Sequence, residues 1–233
     1  MKKLIPFFIC ICTLFSLAAC KSTDIEEDSY SDDIIYDEEE PVVKKVESND
    51  NYVADVDPVL LDELMLLTKS GSKVKAKEIR KVYFVPRNNN VELYFRDGVN
   101  EICLILEKAE RDKILAACNQ FLEEYDAKTL KHKKVNSKTA YYKSRCSLWF
   151  GIISNSTGSE KNEYFVNYEF IDKRPYLLIQ TIPTRCEIPH EKDFTPKVKL
   201  YMSPSQIRDF IQQMDQENLE SYLTETIEKA YTY

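Results

Sequence analysis

Apolar and polar positions alternate along residues 91–95. Val91, Leu93 and Phe95 are separated by Glu92 and Tyr94, the period of a half-buried strand. Asp97-Gly98 follows as a hairpin signal, and Ile102 to Leu106 supplies the return strand. Ile79 to Val85 is β-branched and aromatic and stops at Pro86, which predicts a further strand. The period then changes. Ile114, Leu115, Cys118, Phe121, Leu122 and Tyr125 share one face at helical spacing, so this stretch predicts an amphipathic helix. Upstream, Asp57-Pro58 reads as an N-cap followed by a first helical residue. Leu60, Leu61, Leu64, Met65 and Leu67 follow at mixed helical spacing, and Gly71 reads as the stop.

The second half repeats the theme. Leu148 to Ser154 is apolar, Asn155 to Lys161 is polar and predicts a loop, and Tyr164 to Ile171 and Tyr176 to Ile182 flank a turn at Asp172-Lys173-Arg174-Pro175. Lys197 to Met202 alternates, and Ser203-Pro204 starts a helix with a serine cap and proline at its first position. Ile207, Phe210, Ile211 and Met214 form the apolar face of that helix, and Leu219, Tyr222, Leu223 and Ile227 mark a last one. In each half a strand runs straight into a helix, at an offset of 96 residues. The pattern predicts an α+β fold in two related strand-strand-strand-helix halves. Short turns favour antiparallel pairing, with amphipathic helices covering one face of the sheet.

Charge divides the chain. Asp24 to Asp57 holds fourteen acidic and two basic residues, a net −12, whereas Pro58 to Tyr233 carries +2. The acidic segment has few core-forming residues and should stay unfolded. As a self-repelling coil from Lys21 to Asp57 it would reach roughly 30–37 Å.

Before it stands Met1-Lys2-Lys3, then an apolar run from Leu4 to Leu17, then Ala18-Ala19-Cys20. That run falls short of the roughly 20 apolar residues a membrane span needs, and small residues at its end read as a cleavage point. Leu17-Ala18-Ala19-Cys20 resembles the lipobox of bacterial lipoproteins. The resemblance implies removal of residues 1–19, acyl chains such as palmitate on Cys20, and attachment to a membrane on its extracytoplasmic side. The domain organisation expected is a signal peptide over 1–19, a lipidated cysteine and acidic spacer over 20–57, and one α+β domain over 58–233.

Candidate chemistry is sparse. His132 and His190 stand alone, without a second histidine at ligand spacing, which argues against a metal site or a histidine triad. Four glycines, at 71, 98, 151 and 158, assemble no phosphate loop, and no cofactor is expected. Cys103, Cys118, Cys146 and Cys186 remain after processing. An oxidising compartment would permit disulfides among them, with the pairing open; the alternative is buried free thiols. Lys128, Lys131, Lys133, Lys134, Lys138, Lys143 and Arg145 form a basic stretch around Tyr141 and Tyr142. It is either a solvated edge or a contact for an anionic ligand. Tyr94 and Tyr201 read either as ordinary sheet residues or as an exposed contact surface.

The expectation is therefore a membrane-tethered envelope lipoprotein with a non-catalytic binding or structural role. The membrane and an envelope or host protein are its partners, and nucleic acid is not. The alternatives are a surface adhesin or antigen meeting host molecules and, behind it, an envelope hydrolase needing convergent carboxylates.

Overall fold

The structure, a computed structural model, describes residues 49–152, 155–187 and 193–231. These residues belong to one compact unit, Lys44–Tyr233. The expected signal segment, Cys20 and the expected spacer up to residue 48 lie outside the described residues.

Nine strands and three helices are formed among the described residues. β1 is Val59–Leu60, β2 Leu64–Ser70, β3 Lys73–Val85, β4 Asn90–Asp97 and β5 Asn100–Glu107, and β5 leads directly into helix α1, Lys108–Asp126. β6 is Tyr142–Ile152, β7 Asn155–Ile171, β8 Arg174–Thr181 and β9 Lys199–Met202, followed by α2, Pro204–Met214, and α3, Gln216–Tyr231. Five strands thus precede α1, and four precede α2 and α3, where three strands and a helix per half were expected. The additional strands of the first half are β1 and β2. In the second, the polar stretch after Asn155 continues β7 rather than forming a loop.

All pairings are antiparallel, and the sheet closes. From β2 to β9 every strand pairs with its neighbour in the order β3-β2-β9-β8-β7-β6-β5-β4, and β4 pairs back onto β3. The long β3 makes this feasible. Its first part, Lys73 to Ile79, pairs with β2, and its last part, Ile79 to Val85, with β4. A bulge between Ile79 and Lys81 bends it where the partners change.

One face of this ring carries the core. Leu66, Phe84, Leu93, Ile102, Leu148, Val166, Ile179 and Met202 come from eight different strands and join one buried cluster. Ile114, Cys118 and Phe121 of α1, Ile207 and Phe210 of α2, and Leu219 and Leu223 of α3 complete it. The helices therefore cover the same apolar face, as the alternation in the sequence predicts. Each large side chain so buried contributes about 1.5–3 kcal/mol.

The seam between β2 and β9 is the thinnest part of the ring, with one residue pair, Leu67 opposite Tyr201. Side chains reinforce it. Tyr201 donates to Glu169 at 2.7 Å, and Lys69 of β2 pairs with the same carboxylate. Gln206 of α2 donates to the Met65 carbonyl at 2.6 Å. At the seam itself, Ile171, Tyr176, Leu178 and Tyr201 form a second small cluster with Leu67 and Val74.

The helix expected after Asp57-Pro58 is not formed. Leu64–Ser70 is a strand, and Gly71, at φ +62°, turns the β2–β3 hairpin instead of ending a helix. The leucines alternate between the apolar face, at Leu64 and Leu66, and the other face, and a short apolar run fits either period. The folded unit takes in residues before the boundary expected at Asp57. Val53 and Ala54 are buried, Val53 N–H donates to the Pro86 carbonyl at 2.8 Å, and Arg87 pairs with Asp55 and Asp57.

Arg111 anchors one end of the molecule. It lies in the first turn of α1 with its side chain almost wholly buried. Its guanidinium donates to Asn89 Oδ1 at 2.9 Å, to the Asn89 carbonyl, and to Gln216 Oε1 at 2.6 Å. Asn89, left-handed at φ 50°, forms the β3–β4 turn, and its amide donates to the Asn49 carbonyl at 2.6 Å. Burial lowers the Arg111 pKa to about 10, so the group stays charged at neutral pH. One cation thus joins a hairpin turn, two helices and the entering chain. Arg111→Met should lower stability by about 2–4 kcal/mol, because Asn89 and Gln216 lose a buried donor. Urea unfolding measures this. A change below about 0.5 kcal/mol, ordinary for a surface position, would contradict the assignment.

Candidate functional site

The residues of the basic stretch differ in their partners. Residues 128–136 leave α1 irregularly, and Asn136 caps a short 3-10 turn at Ser137–Thr139. Lys133 is taken up within the fold. Its ammonium lies 4.1 Å from the Tyr168 ring centroid and 4.9 Å from that of Tyr141, and donates to the Thr139 carbonyl. Burial lowers its pKa. His132 stacks on Phe170 at 4.1 Å. Lys143 and Arg145 lie on β6 and face Glu163 at 3.2 and 3.8 Å. Lys128, Lys131, Lys134 and Lys138 make no ion pair among the described residues. Of the seven candidate contacts, these four carry a charge without an ionic partner among the described residues.

The four cysteines are free thiols. Cys118 and Cys146 belong to the core, Cys186 is buried in the β8–β9 connection, and Cys103 points from β5 to the opposite, outer face. The sheet therefore separates Cys103 from Cys118, although they are close in sequence. Burial pushes the thiols of Cys103 and Cys118 up to about 12, and that of Cys146 up as well. Such thiols are poor nucleophiles at neutral pH.

A polar cluster that periodicity did not reveal surrounds Glu110 at the start of α1. Tyr164 donates to its carboxylate at 2.6 Å, Ser144 at 3.0 Å and Lys113 at 3.3 Å. The Glu110 side chain is only 12% exposed. Tyr164 is raised by burial and by this bond. The hydrogen-bonded set contains one carboxylate, so it lacks the pair that acid-base hydrolysis of a glycoside uses. Its evident work is to hold α1 onto β6 and β7.

The outer face offers a more open surface. Tyr94, Cys103, Trp149 and Gly158 stand opposite one another across β4, β5, β6 and β7. Tyr94, Cys103 and Trp149, with Ile105, Glu101 and Gly151, line a cavity of about 310 Å³. Tyr94 donates to Glu92 at 2.7 Å and meets Tyr83 edge-on at 5.9 Å. Tyr94 thus takes part in a partly open aromatic surface. Tyr201 does not, being fully buried at the seam. Gly158 makes the row feasible, since a Cβ there would lie 2.2 Å from the Leu148 carbonyl oxygen. An aromatic cleft with a raised thiol and flanking carboxylates suits non-covalent contact with an apolar or ring-bearing group.

The fold and these surfaces define an α+β domain with a closed antiparallel sheet, helices on its apolar face and shallow clefts outside it. The chain belongs to the family described as uncharacterised Treponema protein, whose model matches residues 51–221. That range runs from the entering chain into α3. An uncharacterized protein of Treponema pallidum (strain Nichols) is 31% identical over 153 residues, covering 64% of this chain and 54% of the relative. The chain thus spans about half the length of that relative. No solved structure matches.

Gly158→Ala should cost about 1–3 kcal/mol, the range for overpacking, and should shift the emission of Trp149, the one tryptophan of the chain. Thermal unfolding and fluorescence measure both. An unchanged midpoint with unchanged emission would show that the β6–β7 approach is looser than described.

Proposed function

We propose that the protein is a lipid-tethered component of a bacterial cell envelope with a non-catalytic binding or structural role. The observation that carries this reading is Leu17-Ala18-Ala19-Cys20 after a short apolar run headed by Lys2 and Lys3. Cleavage before Cys20 would leave the acyl-bearing cysteine as the N-terminus. Two or more chains give the stable anchorage that one chain does not. The acidic segment that follows would then act as a stand-off from an anionic membrane surface.

The features of the domain agree with binding more than with reaction. The thiols of Cys103, Cys118 and Cys146 are raised, the Glu110 cluster holds one carboxylate, and its clefts lie on the surface. Lys128, Lys131, Lys134 and Lys138, with no ion pairs among the described residues, are the remaining candidates for an anionic partner. An adhesin or antigen meeting host molecules is the same architecture facing outward. Digestion of the domain by protease added to intact cells would favour that reading, and protection would favour an internal envelope role.

Cys20→Ala should release the protein from the detergent phase or leave it as the uncleaved precursor. Phase partition with mass analysis of the N-terminus measures this. Normal cleavage and membrane partition of the variant would contradict the tether.

A further inference from the structure

A groove of about 450 Å³ lies between the start of β2 and the helices α2 and α3. Its floor is apolar. Leu61, Leu64 and Leu219 are buried there, and Met65 stands at the rim 47% exposed. Tyr222 closes one side by donating to the Leu60 carbonyl at 3.1 Å.

The rim carries one sign of charge. Asp62, Glu63, Asp209 and Glu225 line it, and no lysine or arginine does. Among the described residues Asp62, Glu63 and Asp209 enter no ion pair, and Glu225 has only Lys229 at 3.9 Å. Gln213 adds a separate signal. Its amide nitrogen donates to the Glu63 carbonyl at 3.3 Å, and its Oε1 is buried without a donor. Turning the amide over would not help, because two oxygens would then face each other. A buried acceptor without a donor is costly, and Gln213 is one of the residues lining the groove.

We infer that this groove binds a linear aliphatic polyamine, with its methylenes on the leucine floor and its ammonium groups on the carboxylates of the rim. Several alternatives fit less well. No group of three or more metal-ligating side chains is assembled among the described residues, so the charge arrangement suits an extended organic cation better than a metal ion. A peptide strand added to β2 would need backbone carbonyls that Gln206 and Gln213 already occupy at Met65 and Glu63. The volume lies in the range of small-ligand sites. Charge-assisted N–H to carboxylate bonds would supply orientation. The inference deepens the binding role proposed above by naming a ligand class, and it is independent of the tether.

The test uses the full chain labelled at methionine methyl groups, titrated with spermidine at physiological salt. The Met65 methyl should shift saturably, while that of Met202, buried in the core, stays in place. Asp62→Asn with Asp209→Asn should weaken this response tenfold or more. Both side chains are exposed, so the fold should survive, and the unchanged Met202 signal checks it. Spermidine held by the acidic segment between Asp24 and Asp57 is common to both proteins and would not separate them. A still Met65 signal, equal affinity in the double variant, or an equal response to magnesium would each overturn the inference. Cys20→Ala partition is unaffected by any of these results, so the tether stands or falls separately.

Discussion

Every strand of this domain has one apolar face, and all those faces must be covered at once. That constraint organises the rest. A sheet of this width that stayed flat would leave its edges open and its apolar face only partly sheltered. Here the sheet curves until β4 meets β3 and β2 meets β9, and the helices fill what remains. Keeping the right residues inward along long strands needs corrections of register. The bulge at residues 79–81 lets Ile79 and Val82 both face the core, although they are three apart. The irregularity between Cys146 and Leu148 does the same for Ser159 and Asn162 on β7. Without such insertions a one-residue slip would turn every later side chain to the wrong face.

Filling the apolar face moves function outward. The large side chains of eight strands and three helices meet in one cluster, so ligand-sized space is found at the surface. The aromatic cleft across β4 to β7 and the acidic groove beside β2 differ in chemistry. One has ring faces flanked by Glu92 and Glu101, and the other has an apolar floor under carboxylates. Both rest on paired strands or packed helices, which suits a pre-formed binding surface. The buried charges Arg111 and Glu110 serve cohesion, each joining α1 to elements distant in sequence.

Much of the fold was legible because its signals were local. Alternation at Val91, Leu93 and Phe95, the Asp97-Gly98 turn and the Ser203-Pro204 cap each report on a few neighbours. The structure forms a strand, a hairpin and a capped helix there. Leu64 to Leu67 misled because four apolar residues in a row satisfy two periods, and only the partner strands decide between them. The polar stretch after Asn155 misled for a related reason. Its buried members, Thr157, Ser159 and Asn162, are polar, and a long-range hydrogen bond from Thr195 to Asn162 makes that burial tolerable. Arg111 and Glu110 carried no periodic signal at all, since a charged residue near a helix start reads as solvated. The aromatic cleft was legible only through Tyr94, because its other members meet across strands up to sixty residues apart in sequence.

The closure of the ring is the claim on which this account rests most heavily, and the β2–β9 seam is where it is thinnest. Nuclear Overhauser contacts between the backbone protons of Leu67 and Tyr201, measured beside those across β3 and β4, test it directly. Contacts at both places would establish a closed sheet with the seam formed. Contacts across β3 and β4 alone, with none between Leu67 and Tyr201, would mean an open sheet, and the acidic groove beside β2 would then lose its fixed wall.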